Sequence, residues 1–231
     1  MSAKRGTLYL VSTPIGNLGD ITYRGVEILK NVQLVAAEDT RKSKTLFSFY
    51  GINTPLISYF EHNSASRIPK LLDHLLAGKD LAIITDAGTP GISDPAYRIV
   101  REAVSNLVEV LPVPGPSAIL AALVASGLPT DRFLFEGFLP PKKGRKKRIE
   151  DVKKLDVTLI YFESPHRLAR ALKQFYDILG NRPAVIAREL TKVYEEIRRG
   201  TLLELHSYYS NVKPKGEFVI LIGKENINVF F

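Results

Sequence analysis

The chain has 231 residues, of which 45% are apolar and none is cysteine, with 32 Lys and Arg against 24 Asp and Glu for a net charge of +8. That length exceeds a single domain of ~100 to 150 residues, so two compact domains are expected, and the lack of thiols excludes disulfides and thiolate metal sites. The longest apolar stretch, Ile119 to Ala125, falls far short of the ~20 residues a bilayer span needs, and only Leu8-Tyr-Leu-Val11 follows the basic start, too little for a secretory signal, so a soluble cytoplasmic protein is expected.

Strand-like and helical runs alternate. Thr7 to Ser12 reads as a first strand, and Asp20 as the cap of a helix reaching Asn31, with Ile21, Val26, Ile28 and Leu29 at helical spacing. Gln33 to Ala37 is a second strand, and Thr40 to Tyr50 a helix stopped by Gly51. Leu56 to Phe60 makes a third strand, followed by a helix from Ser64 to Leu76 with Gly78 beyond it. Leu81 to Thr85 is the fourth strand, Pro95 to Ser105 its helix with Ser93 as N-cap, and Val108 to Val113 the fifth strand. Regular alternation implies a largely parallel sheet covered on both faces. Three prolines and a glycine in Leu111-Pro-Val-Pro-Gly-Pro116 read as a hinge, dividing the chain into α/β domains at 1–113 and 114–231. Ser117 to Ser126 then reads as a buried small-residue helix. After it come strands at Phe133 to Phe138, Val157 to Phe162, Ala184 to Ala187 and Glu217 to Ile222, with helices at Pro165 to Leu179 and Thr201 to Tyr209.

The segment Asp86-Ala-Gly-Thr-Pro-Gly-Ile-Ser-Asp-Pro95 is too long and too polar for an ordinary connection between a strand and a helix. Such a loop stands where ligands meet the carboxyl ends of strands. Gly88 and Gly91 permit a positive φ or a close approach, and Pro90 and Pro95 stiffen the loop. Ser12-Thr-Pro-Ile-Gly-Asn-Leu-Gly-Asp20 is a second such loop, yet it fits neither GxxxxGK[ST] nor GxGxxG, which removes the usual support for nucleotide hydrolysis or hydride transfer. Ala37-Glu-Asp-Thr-Arg41 sets two acids and a guanidinium at a strand end; a helix cap with an adjacent ion pair is the plainer reading. Pro140-Pro-Lys-Lys-Gly-Arg-Lys-Lys-Arg148 holds six positive charges in nine residues, read either as a solvated loop or as an arm that meets nucleic-acid phosphates. The four histidines lack metal-site spacing, so no metal is expected.

Val11 to Asp20, Ala37 to Arg41, Asp86 to Pro95, Val113-Pro-Gly-Pro-Ser-Ala118, Tyr161-Phe-Glu-Ser-Pro-His-Arg167 and Ala187-Arg-Glu-Leu-Thr-Lys192, taken together and in this order, closely resemble the ribosomal RNA small subunit methyltransferase I family of the tetrapyrrole methylase superfamily. The resemblance implies two α/β domains with S-adenosylmethionine held in the cleft between them, a homodimer, and 2′-O-methylation of a cytidine ribose in the decoding region of small-subunit ribosomal RNA, with the assembled subunit as a possible substrate. It further implies cofactor contacts from Pro14, Asp86, Gly88, Thr89, Pro90, Gly91, Ser117, Ala118, Phe162 and Glu189. Gly88 to Gly91 would supply backbone donors to the methionyl carboxylate, Asp86 would accept from the ammonium or a ribose hydroxyl, and Phe162 would pack the adenine. Glu38, Asp39, Glu163 and Glu189 are candidate bases for the ribose hydroxyl, with Glu38 and Asp39 carried forward. Arg41, Arg167 and Arg188 are candidate phosphate clamps, and Arg41, Lys142, Lys143, Arg145, Lys146, Lys147 and Arg148 the RNA contacts.

Members of that family extend past the strand ending at Ile222 into a small further domain, whereas this sequence ends at Phe231, so RNA affinity is expected to rest on the core and the basic segment. Two other readings compete. A superfamily relative acting on a corrin-type or diphthamide-type acceptor has no need of the basic run, and a catalytically inert RNA-binding assembly factor has no need of sculpted Gly-Pro loops.

Overall fold

A computed structural model describes residues 5–224, which divide into two units between Ser117 and Ala118. The first unit contains β1 (Thr7–Val11), α1 (Tyr23–Asn31), β2 (Leu34–Ala37), α2 (Thr40–Tyr50), β3 (Leu56–Ser58), α3 (Ser64–Leu76), β4 (Leu81–Ile84), α4 (Ala96–Ser105) and β5 (Glu109–Val113). Its sheet runs β3-β2-β4-β1-β5, and every neighbouring pair is parallel.

β4 is apolar at all four positions because both of its faces are covered. Leu81 and Ile83 enter the core shared with Leu71 and Leu75 of α3 and Ile99 of α4, whereas Ala82 and Ile84 enter the core shared with Leu29 of α1 and Phe47 of α2. The crossover from β1 to β2 therefore lies on one face, and the crossover from β4 to β5 on the other. β1 and β4 are neighbours whose outgoing chains leave in opposite directions. This is a topological switch point, the place in an open parallel sheet where a crevice opens beyond the strand ends.

The second unit contains α5 (Ala118–Ser126), β6 (Phe133–Phe138), α6 (Arg145–Asp151), β7 (Thr158–Glu163), α7 (Leu168–Leu179), β8 (Pro183–Arg188), β9 (Glu196–Thr201), α8 (Leu202–Ser210) and β10 (Phe218–Ile222). Its sheet runs β6-β7-β10-β8-β9. Only β6 and β7 are parallel, while β10 is antiparallel to both neighbours and β8 forms a hairpin with β9. The largely parallel sheet expected of the first five strands is thus found, and the second unit, expected to be α/β, has a mixed sheet with one strand more than its sequence suggests. The reason is β9, whose Glu-Ile-Arg-Arg-Gly-Thr sequence lacks the apolar signal of a strand. Charge is what an exposed sheet edge carries to avoid pairing with another chain. Leu159, Tyr161, Ile186, Phe218, Ile220 and Ile222 pack with Phe175, Leu172 and Leu205 from the helices into one large core.

Four local expectations are corrected. α1 is capped by Thr22, whose side chain accepts from the Gly25 amide, while Asp20 closes a short 3-10 turn, Leu18–Asp20. α4 begins at Ala96, and Ser93 sits at φ +64 instead of capping it. The cap comes from the Asp94 carboxylate, which accepts from the amides of Ala96 at 2.8 Å and Gly91 at 2.8 and 2.9 Å. α5 is not buried all round, since Leu120 and Val124 are exposed. Residues 145–151 of the basic run are helical, not an open loop. Among the described residues, no helix is long and apolar enough to cross a membrane, and no cluster of His, Cys, Asp and Glu can hold a metal ion.

Gly6 fixes how closely β1 approaches the turn before β4. Its amide donates to Leu75 O at 2.8 Å, and an added Cβ would lie 2.0 Å from Lys79 O. The obstacle is backbone and cannot swing aside, so Gly6→Ala is expected to destabilise the protein by about 2 to 3 kcal/mol. Urea unfolding checks this through a lower midpoint with an unchanged slope.

Candidate functional site

At the switch point the chain after β1 and the chain after β4 are joined by backbone. The Thr13 amide donates to Gly88 O at 2.9 Å and the Gly88 amide donates to Thr13 O at 3.0 Å, an isolated antiparallel bridge between loops that follow parallel strands. Gly88 sits at φ +83, a conformation that costs a residue with a Cβ about 1 to 2 kcal/mol. The Thr13 hydroxyl donates to Thr85 O at 3.0 Å, the Ser12 hydroxyl to Thr89 Oγ1 at 3.1 Å, and the Thr89 hydroxyl to Pro116 O at 3.3 Å. Gly115 completes the junction, because a Cβ there would lie 3.0 Å from Ser12 Cβ. Three segments distant in sequence, 12–14, 85–91 and 114–117, thereby form one rigid shelf carrying Pro14, Gly88, Thr89, Pro90, Gly91 and Ser117.

One expectation about this shelf needs correcting. The amides of Gly88 and Gly91 are already engaged, by Thr13 O and by the Asp94 carboxylate. What these glycines supply is shape. Around Gly91 an added Cβ would meet nothing within 4 Å, so the shelf has open space above it.

Beside the shelf stand the acids. Glu38 Oε2 accepts from the Thr85 hydroxyl at 2.7 Å and from the Asp86 amide at 3.4 Å. Asp86 accepts from the Asp39 amide at 3.0 Å and from Lys42 Nζ at 2.6 Å. Asp39 is the N-cap of α2, accepting from the Arg41 amide at 2.9 Å and pairing with the Arg41 guanidinium. The hydrogen bonds from Arg41 hold the Asp39 carboxyl at about 2, so Asp39 is a helix cap and a weak base. Glu38 instead lines a recess of about 430 Å³ with Glu61, Gly91, Ser93, Asp94, Pro95 and Tyr97. Burial raises the Asp94 carboxyl, against the pull of its two amide donors. Thr85, Lys42, Glu61, Asp94 and Tyr97 were not singled out from the sequence, although Asp94 lies inside the loop motif.

In the second unit, Phe162 is the last residue but one of β7, with its ring 4.9 Å from that of Phe135 and 5.6 Å from that of Phe138. Ala118 opens α5. Glu163 is not an available base: its side chain is 1% exposed and held by Arg145 Nη2 at 3.3 Å and Arg167 Nη2 at 2.6 Å. Glu189 adopts φ +48 and accepts from Lys192 Nζ and the Glu217 amide. Although burial opposes it, these donors and the nearby Lys192 and Arg188 charges keep its carboxyl below the usual range. Arg188 Nε donates to Lys215 O at 2.8 Å.

The six charges of the basic run separate. Lys142, Lys143, Lys146 and Lys147 are exposed, while Arg145 is buried at 3% exposure and is corrected out of the RNA contacts. Burial lowers the pKa of its guanidinium, against the opposing charge of Glu163. Arg148 is partly exposed and bonded to Glu136.

Comparison with known proteins reveals extended similarity. Residues 7–206 match the model of the family described as tetrapyrrole (corrin/porphyrin) methylases. Over 219 residues the chain is 52% identical to the ribosomal RNA small subunit methyltransferase I of Mesorhizobium japonicum, covering 94% of this chain and 74% of that protein. It is 46% identical over 221 residues to the protein of the same name from Thermotoga maritima, covering 95% of this chain and 100% of that one, so a relative exists with no further domain beyond the shared region. Among solved structures, a cobalt precorrin-4 methyltransferase of cobalamin biosynthesis superposes with a TM-score of 0.71 at 20% identity, covering 94% of each chain. A diphthine synthase gives 0.73 at 15% identity, covering 94% of this chain and 90% of that one. At such identities these two structures establish the fold alone.

The Asp39 cap sets a pH window. Its carboxyl is depressed from 3.8 to about 2 in the folded chain, so the stabilisation of the first turn of α2 is complete above 3.8 and lost as pH falls through about 2. Proton exchange of the Arg41 amide is expected to quicken across that window. In Asp39→Asn the cap persists through the amide oxygen and the pH dependence disappears.

Proposed function

Since the chain belongs to the tetrapyrrole methylase family, with an α/β fold of two sheets, we propose that it is an S-adenosylmethionine-dependent methyltransferase acting on RNA of the small ribosomal subunit. The observation that carries the reading is identity of 46 to 52% over nearly the whole chain to proteins named for that activity, against 15 to 20% to the corrin and diphthine enzymes. The acceptor is proposed to be a cytidine ribose 2′-hydroxyl, as the sequence resemblance implies, and the working form a homodimer in the cytoplasm.

The shelf and the recess suit the methyl donor. Its methionyl and sulfonium portion is net positive, and the recess is lined by Glu38, Glu61 and Asp94. The open space at Gly91 leaves room over the loop, and the half-buried Pro14 and Thr89 offer an apolar and a polar contact. When bound, the donor supplies an electrophilic methyl group on a positively charged sulfur.

The chain's own contribution is orientation and proton removal. Backbone bonding at Thr13 and Gly88 keeps the shelf from adjusting, so positioning is prepaid; effective molarity of this kind is worth about 7 to 11 kcal/mol in favourable cases. A ribose hydroxyl is a weak acid and gains from a base within hydrogen-bond reach. Glu38 fills that role in this reading. Thr85 and the Asp86 amide both bond Oε2, which orients the carboxylate and leaves Oε1 to take the proton. The exposed lysines of the basic segment meet RNA phosphates.

The reading is tested by incubating radiolabelled S-adenosylmethionine with unmethylated small subunits and mapping the product by mass spectrometry. Methylation confined to a porphyrinoid acceptor would reject it. Glu38→Gln is expected to lower kcat by about 10² to 10⁴-fold, far more than it weakens cofactor binding in the recess that Glu38 shares with Glu61 and Asp94. Replacing Lys142, Lys143, Lys146 and Lys147 with Ala is expected to weaken RNA association and to flatten its dependence on log salt by about 3, at ~0.7 to 0.9 per phosphate contact, without altering cofactor Kd in calorimetry.

A further inference from the structure

The helix that bears the lysines has little reason to exist by itself. α6 is seven residues long, well below the ~12 to 15 at which an isolated helix becomes marginally stable. Lysines before and within its first turn oppose the helix dipole and one another. Its N-cap, Gly144 at φ +82, provides no side-chain cap. Its order must come from what it touches.

Two clamps supply it. Arg145 crosses the protein interior: Nε donates to Gln174 of α7 and Nη2 to Glu163 Oε2 at the end of β7, at 3.3 Å. Glu163 Oε1 in turn accepts from Arg167 Nε at 2.7 Å and the Ser164 amide at 2.8 Å, and Arg167 Nη1 donates to Leu139 O at 3.3 Å, just ahead of the basic run. Three residues along, Arg148 donates through Nε to Glu136 Oε2 at 2.5 Å and through Nη2 to Glu136 O at 3.3 Å, where β6 shifts register between Phe135 and Gly137. Ile149 is fully buried in the same core. Both arginines and Ile149 thus fasten the helix to the sheet, which turns Lys146 and Lys147 outward.

A buried ion network is an expensive anchor where leucine would pack as well, because both charges must leave water. What it adds is direction: a guanidinium holding two partners fixes the rotation of the helix about its axis, which apolar contact leaves loose. The structure assigns Arg145 the role of a positioning residue, which through the Arg145–Glu163–Arg167 network holds Lys142, Lys143, Lys146 and Lys147 as a preordered face for RNA phosphates. The assignment rests on the RNA-methylating reading above. Lysines ordered in advance lose less conformational freedom on binding than lysines on a loose segment.

A double-mutant cycle with unmethylated small subunits tests it. Arg145→Met retains every lysine, yet is expected to weaken RNA association about tenfold and to raise KM for the subunit with kcat and cofactor Kd held. In the background lacking the four lysines, the same substitution is expected to change RNA affinity less than twofold. A tenfold loss in both backgrounds, an equal loss of cofactor affinity, or no loss in either would overturn the assignment. If the four-lysine variant itself binds RNA normally, the lysine surface and the assignment fail together; if it binds weakly and Arg145→Met does not couple to it, only the assignment fails. Arg145→Lys, which keeps the charge but cannot reach Gln174 and Glu163 together, passes through the same cycle should Arg145→Met not fold.

Discussion

Two hydrogen bonds between Thr13 and Gly88 organise the first unit's site. Parallel strands cannot be joined by a tight turn, so the segments leaving β1 and β4 would ordinarily diverge beyond the sheet toward helices on opposite faces. An isolated antiparallel bridge beyond the parallel ladder ties them together and converts two loops into a shelf. Gly88 is needed because the bridge requires its left-handed backbone, and Gly115 because the Pro114-Gly-Pro segment must pass against Ser12. The same bridge consumes amides that would otherwise be free to meet a ligand, so the shelf acts through shape, hydroxyls and the neighbouring carboxylates.

Those carboxylates are sorted by their neighbours. Glu38 and Asp39 are adjacent in sequence, yet one faces a recess and the other caps a helix beside a guanidinium. An N-cap draws its side chain back toward the first-turn amides, and Asp39 is therefore committed to α2 while Glu38, on the opposite side of the extended chain, is not. Asp86 ties the two strand ends together by accepting from the Asp39 amide and from Lys42. The acids thus act as a linked set in which one member is left to face the recess.

The second unit sorts its cations in a similar way. Arginine can hold a buried carboxylate in fixed geometry and remains charged when desolvated, whereas lysine is a strongly hydrated point charge on a flexible stem. In the basic run the two arginines take the inward and flanking positions of α6 and the four lysines remain in water. Removing one partner of a buried pair strands the other and costs about 3 to 5 kcal/mol, so the network also ties the helix to the stability of its sheet.

The first unit's strands and helices were legible in the amino-acid order because buried parallel strands are short uninterrupted apolar runs, and their helices carry stripes of matching period. The loop at Asp86 to Pro95 was equally visible, since its glycines and prolines break every pattern. β9 escaped notice because an exposed edge selects charge over apolar alternation, and with it went the antiparallel character of the second sheet. The inward turn of Arg145 was invisible too: a run of six like charges reads as solvent-exposed until Glu163, eighteen residues on, is brought beneath it. Local composition settles most strands, helices and turns, though neither the charged edge β9 nor the short α6. Which charge is buried, which amide is already taken and which of two adjacent acids remains available depend on partners far apart in the chain, and only the folded arrangement supplies them.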